Sequence, residues 1–465
     1  MRRPAARCAT AAAFTVSVLL TAGTMAAPGG SPPLRRAKTP SGTVSTYVGD
    51  EAVDLTGPFF QDLGTNGRSC STCHVAAECW TVSAAGVRAR FDRTGGTDPI
   101  FRLVDGANSP DADVSTVAAR RAAYSMLVSR GVIRVERPIP EKAEFELVEA
   151  DDPYGHASAS GLSLFRRPLP STNLRFISTV MWDGREVDPL TPMTIANAPA
   201  DNAAILRASL LHQSFDATNG HAEAAFALTP AQQAAIVDFE MRLSTAHDTE
   251  RGVGPLDAAG ALGGPERLAE AKFHIGINDN VAAPDGPFDA RAMTLFDAWR
   301  DSTDPRRRSV ARGQDLFNSK PVVITGVKGL NDNPYFGSPP TVTGTCTTCH
   351  NTPNVGNHSL AVALDIGITD ASRRKPDMPL YTLRNLSTGE TIQTTDPGLA
   401  LSTGRWKDIA RFKGPVLRGL GARAPYFHDG SAADAGAVLD FYEDRFGVEF
   451  TDAERADLIA FLEAL

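Results

Sequence analysis

The pentapeptide Cys70-Ser71-Thr72-Cys73-His74 and its second copy, Cys346-Thr347-Thr348-Cys349-His350, constrain this chain more than any other feature. In C-x-x-C-H, two thiols one helical turn apart add across the vinyl groups of a haem, and the adjoining imidazole reaches the iron as its proximal ligand. A single copy is ambiguous, because C-x-x-C also serves zinc and thiol redox chemistry. Two copies in a chain of only six cysteines point to two covalently bound haem c groups. Cys70, Cys73, Cys346 and Cys349 are the attachment residues, and His74 and His350 the proximal iron ligands. Any fold must then build two cavities, each wide enough for a porphyrin.

Residues 1–27 have the form of a cleavable export signal. Arg2, Arg3 and Arg7 make a basic start, Ala11 to Ala22 an apolar core, and Thr24-Met25-Ala26-Ala27 a small-residue cleavage region. Export predicts a periplasmic protein with no membrane span in its mature chain, which suits c-type haem attachment. Losing the signal removes Cys8 and leaves Cys79 without a partner, a small buried residue rather than a reactive thiol. The whole chain carries 46 basic against 54 acidic side chains, and the signal takes three of the basic ones. That acidity argues against nucleic acid and anionic lipid as partners. It favours a small electron-carrier protein with a positive face, a c-type cytochrome or a cupredoxin.

One unit is used twice. The first opens at Gly57-Pro58-Phe59-Phe60-Gln61-Asp62-Leu63 and the second at Gly313-Gln314-Asp315-Leu316-Phe317, each upstream of a haem motif. Each later carries an aromatic Asp-Gly turn, Met181-Trp182-Asp183-Gly184 or Phe427-His428-Asp429-Gly430. Each closes on an amphipathic helix headed by a capping box, Thr229 with Gln232 and Thr451 with Glu454. With 40 Gly and 32 Pro, long ordered loops are expected between helices. The predicted fold is mainly α: two tandem cytochrome c-like domains, residues 46–251 and 301–465, joined by a connection at 252–300. A flexible leader occupies 28–45, and an insertion at 75–175 interrupts the first domain. The insertion is expected to hold a helix from Val114 to Val132 and an extended stretch from Gly131 to Val148. The connection is expected to hold a short helix from Ala290 to Asp301.

The paired C-x-x-C-H, the segment Met181-Trp182-Asp183-Gly184-Arg185, and Gly414-Pro415-Val416-Leu417-Arg418 followed by Ala424-Pro425-Tyr426-Phe427-His428-Asp429-Gly430 together resemble the bacterial di-haem cytochrome c peroxidase family, which includes MauG. The resemblance implies that the second haem takes electrons from a carrier, Trp182 relays them, and the first haem reduces hydrogen peroxide. In many members a histidine about sixteen residues after the first motif blocks the first iron. Arg90 stands at that spacing here and the next histidine is His156, which implies a standing open site. Gln213 and Glu223 keep the spacing of the family's distal glutamine and catalytic glutamate, with His221 as a competing acid–base group or iron ligand. The family's sixth ligand of the second haem falls on Tyr442, a tyrosine as in MauG where peroxidases have methionine. Met378 is the alternative ligand. His358 and His428 are expected to order the surroundings of the second haem. The family often holds calcium between its domains, but Arg167 and Arg423 stand near the expected places, so no side-chain ligand for that ion is found.

Two other functions remain open on these residues. One is a MauG-like or oxygenase-like enzyme that uses high-valent haem on a protein or organic substrate, favoured by Tyr442 and the extra length. The other is a non-catalytic electron-transfer di-haem cytochrome.

Overall fold

The computed structural model describes residues 35–186, 202–272, 289 and 291–465; the export signal lies outside them. Both haem pentapeptides form short turns of helix, 3-10 at Cys70–Thr72 and α at Cys346–Cys349. Each is started by a reciprocal cap, Ser69 with Thr72 and Thr345 with Thr348, which satisfies the free N–H groups at the turn's head. The hydroxyl residues between the cysteines are thus part of what folds each motif.

The two closing helices are Pro230–Arg242 and Asp452–Ala464, and both predicted capping boxes are present. The first packs Phe239 on Phe59, ring centroids 4.8 Å apart, with Trp80 and Ile236 completing that core. The second crosses the helix Pro305–Ser319, burying Val310, Phe317, Leu458 and Phe461. Gly313 sits at this crossing. A Cβ there would stand 1.9 Å from the Asp457 carbonyl oxygen, so the helices approach more closely than any other residue permits. The repeat is unequal: where the second unit opens with a 15-residue helix, the first has only the 3-10 turn Pro58–Phe60.

Helix outweighs strand among the described residues, yet four sheets are interleaved with the helices. Of the expected leader, residues 35–38 and 42–45 lie in strands. Arg35–Lys38 and Gly42–Tyr47 form a hairpin that pairs with Ser244–Glu250, just after the first closing helix. The expected helix from Val114 to Val132 is divided into Val117–Ala123 and Ser125–Arg130 by Tyr124, whose φ/ψ of −101°/18° leave the helical region. The extended stretch after it is present as the strands Ile133–Arg137 and Phe145–Asp151. In the connection, the described part of the expected helix at 290–301 holds the 3-10 turn Asp297–Trp299, with Trp299 drawn into the second core and its Nε1 donating to the Ala258 carbonyl at 2.9 Å.

The insertion is not confined to the first unit. Phe145–Asp151 pairs antiparallel with Leu380–Asn385 of the second, from Phe145 opposite Asn385 to Asp151 opposite Leu380. Arg166, at the end of the strand Leu162–Arg166, is fully buried and bonds Asp396 through both Nε and Nη2 (2.7 and 2.8 Å) and Asp183 through Nη1 at 2.5 Å. No helix among the described residues is long and apolar enough to cross a membrane.

Replacing Gly313 by alanine should force the two helices apart and destabilise the second unit by about 1–3 kcal/mol, read as a lower thermal midpoint. An unchanged midpoint would mean that the crossing is not tightly packed.

Candidate haem sites

Each pentapeptide lines its own large cavity. The first, with about 1570 Å³ of unfilled space including some open solvent, is lined by Cys70, Cys73, His74, Gln213 and His221. The second, about 1840 Å³ on the same measure, is walled by Cys346, Cys349, His350 and Tyr442. Among the described residues the side chains of neither pentapeptide converge on a single point as a zinc ion requires; the convergence of that kind is Glu186, His212 and Asp216. Desolvation pushes the thiols of Cys70 and Cys346 up to about 12 and that of Cys73 to about 11, so they are not standing thiolates. Largely apolar cavities with two thiols and an imidazole on the wall fit haem c.

Both motif imidazoles are held through Nδ1. His74 Nδ1 lies 2.9 Å from the Trp80 carbonyl and 3.0 Å from Ser171 Oγ; His350 Nδ1 lies 2.6 Å from the Gly356 carbonyl. A carbonyl only accepts, so Nδ1 carries the proton and Nε2 keeps its lone pair. Burial lowers both histidines to about 4, which keeps them neutral. At the first site Cys79 and Trp80 both adopt positive φ, 59° and 58°, a strained pair that aims the Trp80 carbonyl at His74. Cys79 itself is fully buried against Arg418.

Glu240 escapes a sequence reading because it looks like one more polar residue on an amphipathic helix. It is buried beside Cys70, lines the first cavity, and hydrogen-bonds Ser171, the residue that touches His74. Burial raises its carboxyl to about 7. Asp105 escaped too. It sits in the insertion, is buried, and joins His221 Nδ1 at 2.6 Å to Arg68 Nη1 at 2.6 Å. The insertion therefore supplies the carboxylate that orients His221, directing its Nε2 away from Asp105.

The other anticipated residues separate. Gln213 lines the first cavity, but Glu223 is exposed, is absent from that wall, and accepts a hydrogen bond from Asn66 Nδ2 at 2.8 Å. A positive φ of 53° at Glu223 turns the chain after the helix Asn202–His221 has ended, so spacing in sequence does not carry over into one face. Arg90 is engaged with the Thr72 carbonyl at 2.6 Å and with Asp98, and His156 lies beside Glu136, outside both walls. Met378 is buried with Met126, Val132 and Phe165 and does not line the second cavity. Tyr442 does, its hydroxyl 3.5 Å from His350 Nε2 and its phenol pushed well above the usual range by burial. His358 and His428 line the same cavity; His428 stacks on Phe412 at 4.2 Å. Trp182 lines both cavities, its Nε1 donating to the Arg167 carbonyl at 2.8 Å. Arg167 donates to the carbonyls of Arg423, Pro425 and Val82.

Two curated proteins match part of the chain. The cytochrome-c peroxidase IdrP2 of Denitromonas iodatirespirans is 29% identical over 133 residues, and IdrP1 of the same organism is 27% identical over 139. Each alignment takes in 26% of this chain and 36% of the relative, so the chain spans about a third of the length of the curated relatives it matches. The chain resembles the di-haem cytochrome c peroxidase and MauG family. No protein-family model matches it. A solved MauG-like protein associated with microbial copper homeostasis aligns over 87% of this chain and 85% of its own, at 16% identity and a TM-score of 0.35.

Within the peroxidase resemblance Glu240 is a feature of this chain's own residues, and its titration is testable. Its pKa is raised above the ordinary 4.5, so the stability it contributes is full below that value and is lost as pH rises to about 7. Glu240→Gln should flatten the fall in thermal midpoint across that window. A variant that retains the wild-type slope would assign the pH dependence elsewhere.

Proposed function

We propose that the chain is a periplasmic di-haem c-type peroxidase. It takes two electrons from a small carrier protein, a c-type cytochrome or a cupredoxin, and with two protons reduces one hydrogen peroxide to two waters. Haem c bound covalently at Cys70 and Cys73, and at Cys346 and Cys349, with His74 and His350 as proximal ligands, supplies electron storage at both sites and peroxide reduction at the first.

The observation that carries this reading is Trp182, the oxidisable side chain in the wall shared by the two cavities. An indole held through its N–H by the Arg167 carbonyl is fixed in orientation. It offers an electron relay between the sites. On the far wall of the first cavity, His221 is the proton-handling group. Asp105 orients it, Gln213 lines the same cavity, and Glu223 does not. Arg90, tied to Thr72 and Asp98, stands at the spacing where many members of the family carry a blocking histidine.

Tyr442 favours a second reading, a MauG-like enzyme acting on a protein or organic substrate. Its hydroxyl faces the Nε2 of His350, and a phenolate ligand would stabilise the ferric second haem and weaken it as an electron entry point.

Purified holoprotein should retain two haems per chain after acid acetone extraction and show a high-spin haem. Trp182→Phe should keep both haems yet lower turnover of peroxide with reduced cytochrome c at least tenfold. Irons that are low-spin in every redox state would leave only electron transfer. Tyr442→Phe should alter the spectrum of the second haem alone; an unaltered spectrum would return Tyr442 to packing.

A further inference from the structure

Charge on the cavity walls is unbalanced in a particular place. Among the described residues Glu240 is the one acidic side chain on the first wall, and the second has none. Some cations of the first wall are already engaged: Arg68 with Asp105, Arg166 with Asp183 and Asp396, and Arg185 with Asp183 and Glu186. Arg167, Lys413 and Arg423 differ. They line both cavities, are buried at 7%, 8% and 6% exposure, and make no ion pair among the described residues.

Their protein partners are carbonyls. Arg167 donates to Arg423, Pro425 and Val82, Arg423 donates to Val416 at 2.7 Å, and Lys413 Nζ donates to Thr179 at 2.8 Å. Donors are left over. Nε of Arg167 and Nε of Arg423 are buried without a partner, and Lys413 Nζ has two further N–H bonds to give. Three buried cations without a counter-ion are strongly unfavourable unless an anion enters with its own hydrogen-bond acceptors. Desolvation already lowers Lys413 to about 7 and Arg167 to about 10.

We infer that Arg167, Lys413 and Arg423 form one carboxylate-binding site, common to both cavities, that receives haem propionates from each side. The inference rests on the reading that both cavities hold haem c. Haem is the dianionic group whose covalent anchors stand on these same walls. The three side chains stand in the same shared wall as Trp182, where they would hold the propionates. The main chain of two of these residues holds Trp182: the Lys413 backbone N–H donates to the Trp182 carbonyl at 3.0 Å, and the Arg167 backbone carbonyl accepts from its indole. Positive charge placed between the two sites favours the reduced state of each.

The test is spectroelectrochemistry on the holoprotein after haem has been counted. Lys413→Met removes the charge and keeps an unbranched chain of similar length. It should lower the midpoint potentials of both haems, each by about a tenfold change in the redox equilibrium, 59 mV for one electron. Lys413→Arg should return both. If Lys413→Met does not accumulate, Arg423→Gln carries the same expectation. Two haems per chain with one or neither potential moved would overturn the shared site and leave the peroxidase reading intact, as would Lys413→Arg behaving like Lys413→Met. Fewer than two haems in the wild type would overturn both.

Discussion

Arg166 ties the molecule together at the place where its two halves meet. Its guanidinium is out of contact with water and is shared by Asp396 of the second unit and Asp183 of the Trp182 turn. Three charges in a low-dielectric interior are costly to desolvate, and the return comes only when every donor and acceptor is in place. Burial works against the ionised Asp183, yet the flanking arginines hold its carboxyl well below the ordinary range. The arrangement therefore tolerates only one position of the Trp182 turn relative to the second unit. Trp182, the two cavities and their common wall depend on that position.

The insertion takes a different meaning in this light. It delivers Arg166 and Arg167 to the seam, pairs a strand with the second unit, and sends Asp105 to His221. Asp105 is itself held by Arg68, four residues after Gly64 and just ahead of the first haem motif. One segment thus connects the proximal motif, the far wall of the first cavity and the neighbouring unit. In the second unit, the role of bracing the motif falls to the long helix Pro305–Ser319 and its close crossing at Gly313. The two cavities are thus supported in different ways.

Much of the architecture was legible from residue patterns. The capping boxes at Thr229 and Thr451 marked helix starts because the chemistry of a cap is local, and both are present. The division of 114–132 was not legible, since Tyr124 departs from helical geometry to fill a core with Phe101. Nor was the hairpin at 35–47, whose strands are ordered by pairing with a segment about two hundred residues away. Gln213 and Glu223 show the same limit in the site. Their spacing suggests a pair, but the helix ends at His221 and the backbone turns Glu223 outward.

Local geometry is what the amino-acid order determined unaided: two C-x-x-C-H turns, each with its cap, its imidazole and its closing helix. Tertiary structure decided which groups share a wall. Trp182 lies between the cavities, Tyr442 rather than Met378 faces His350, and Asp105 rather than Glu223 meets His221. The reason is physical. Caps and motif turns are satisfied by neighbours three or four residues away, whereas burying a charge or a polar ring requires partners from wherever the packed chain can supply them.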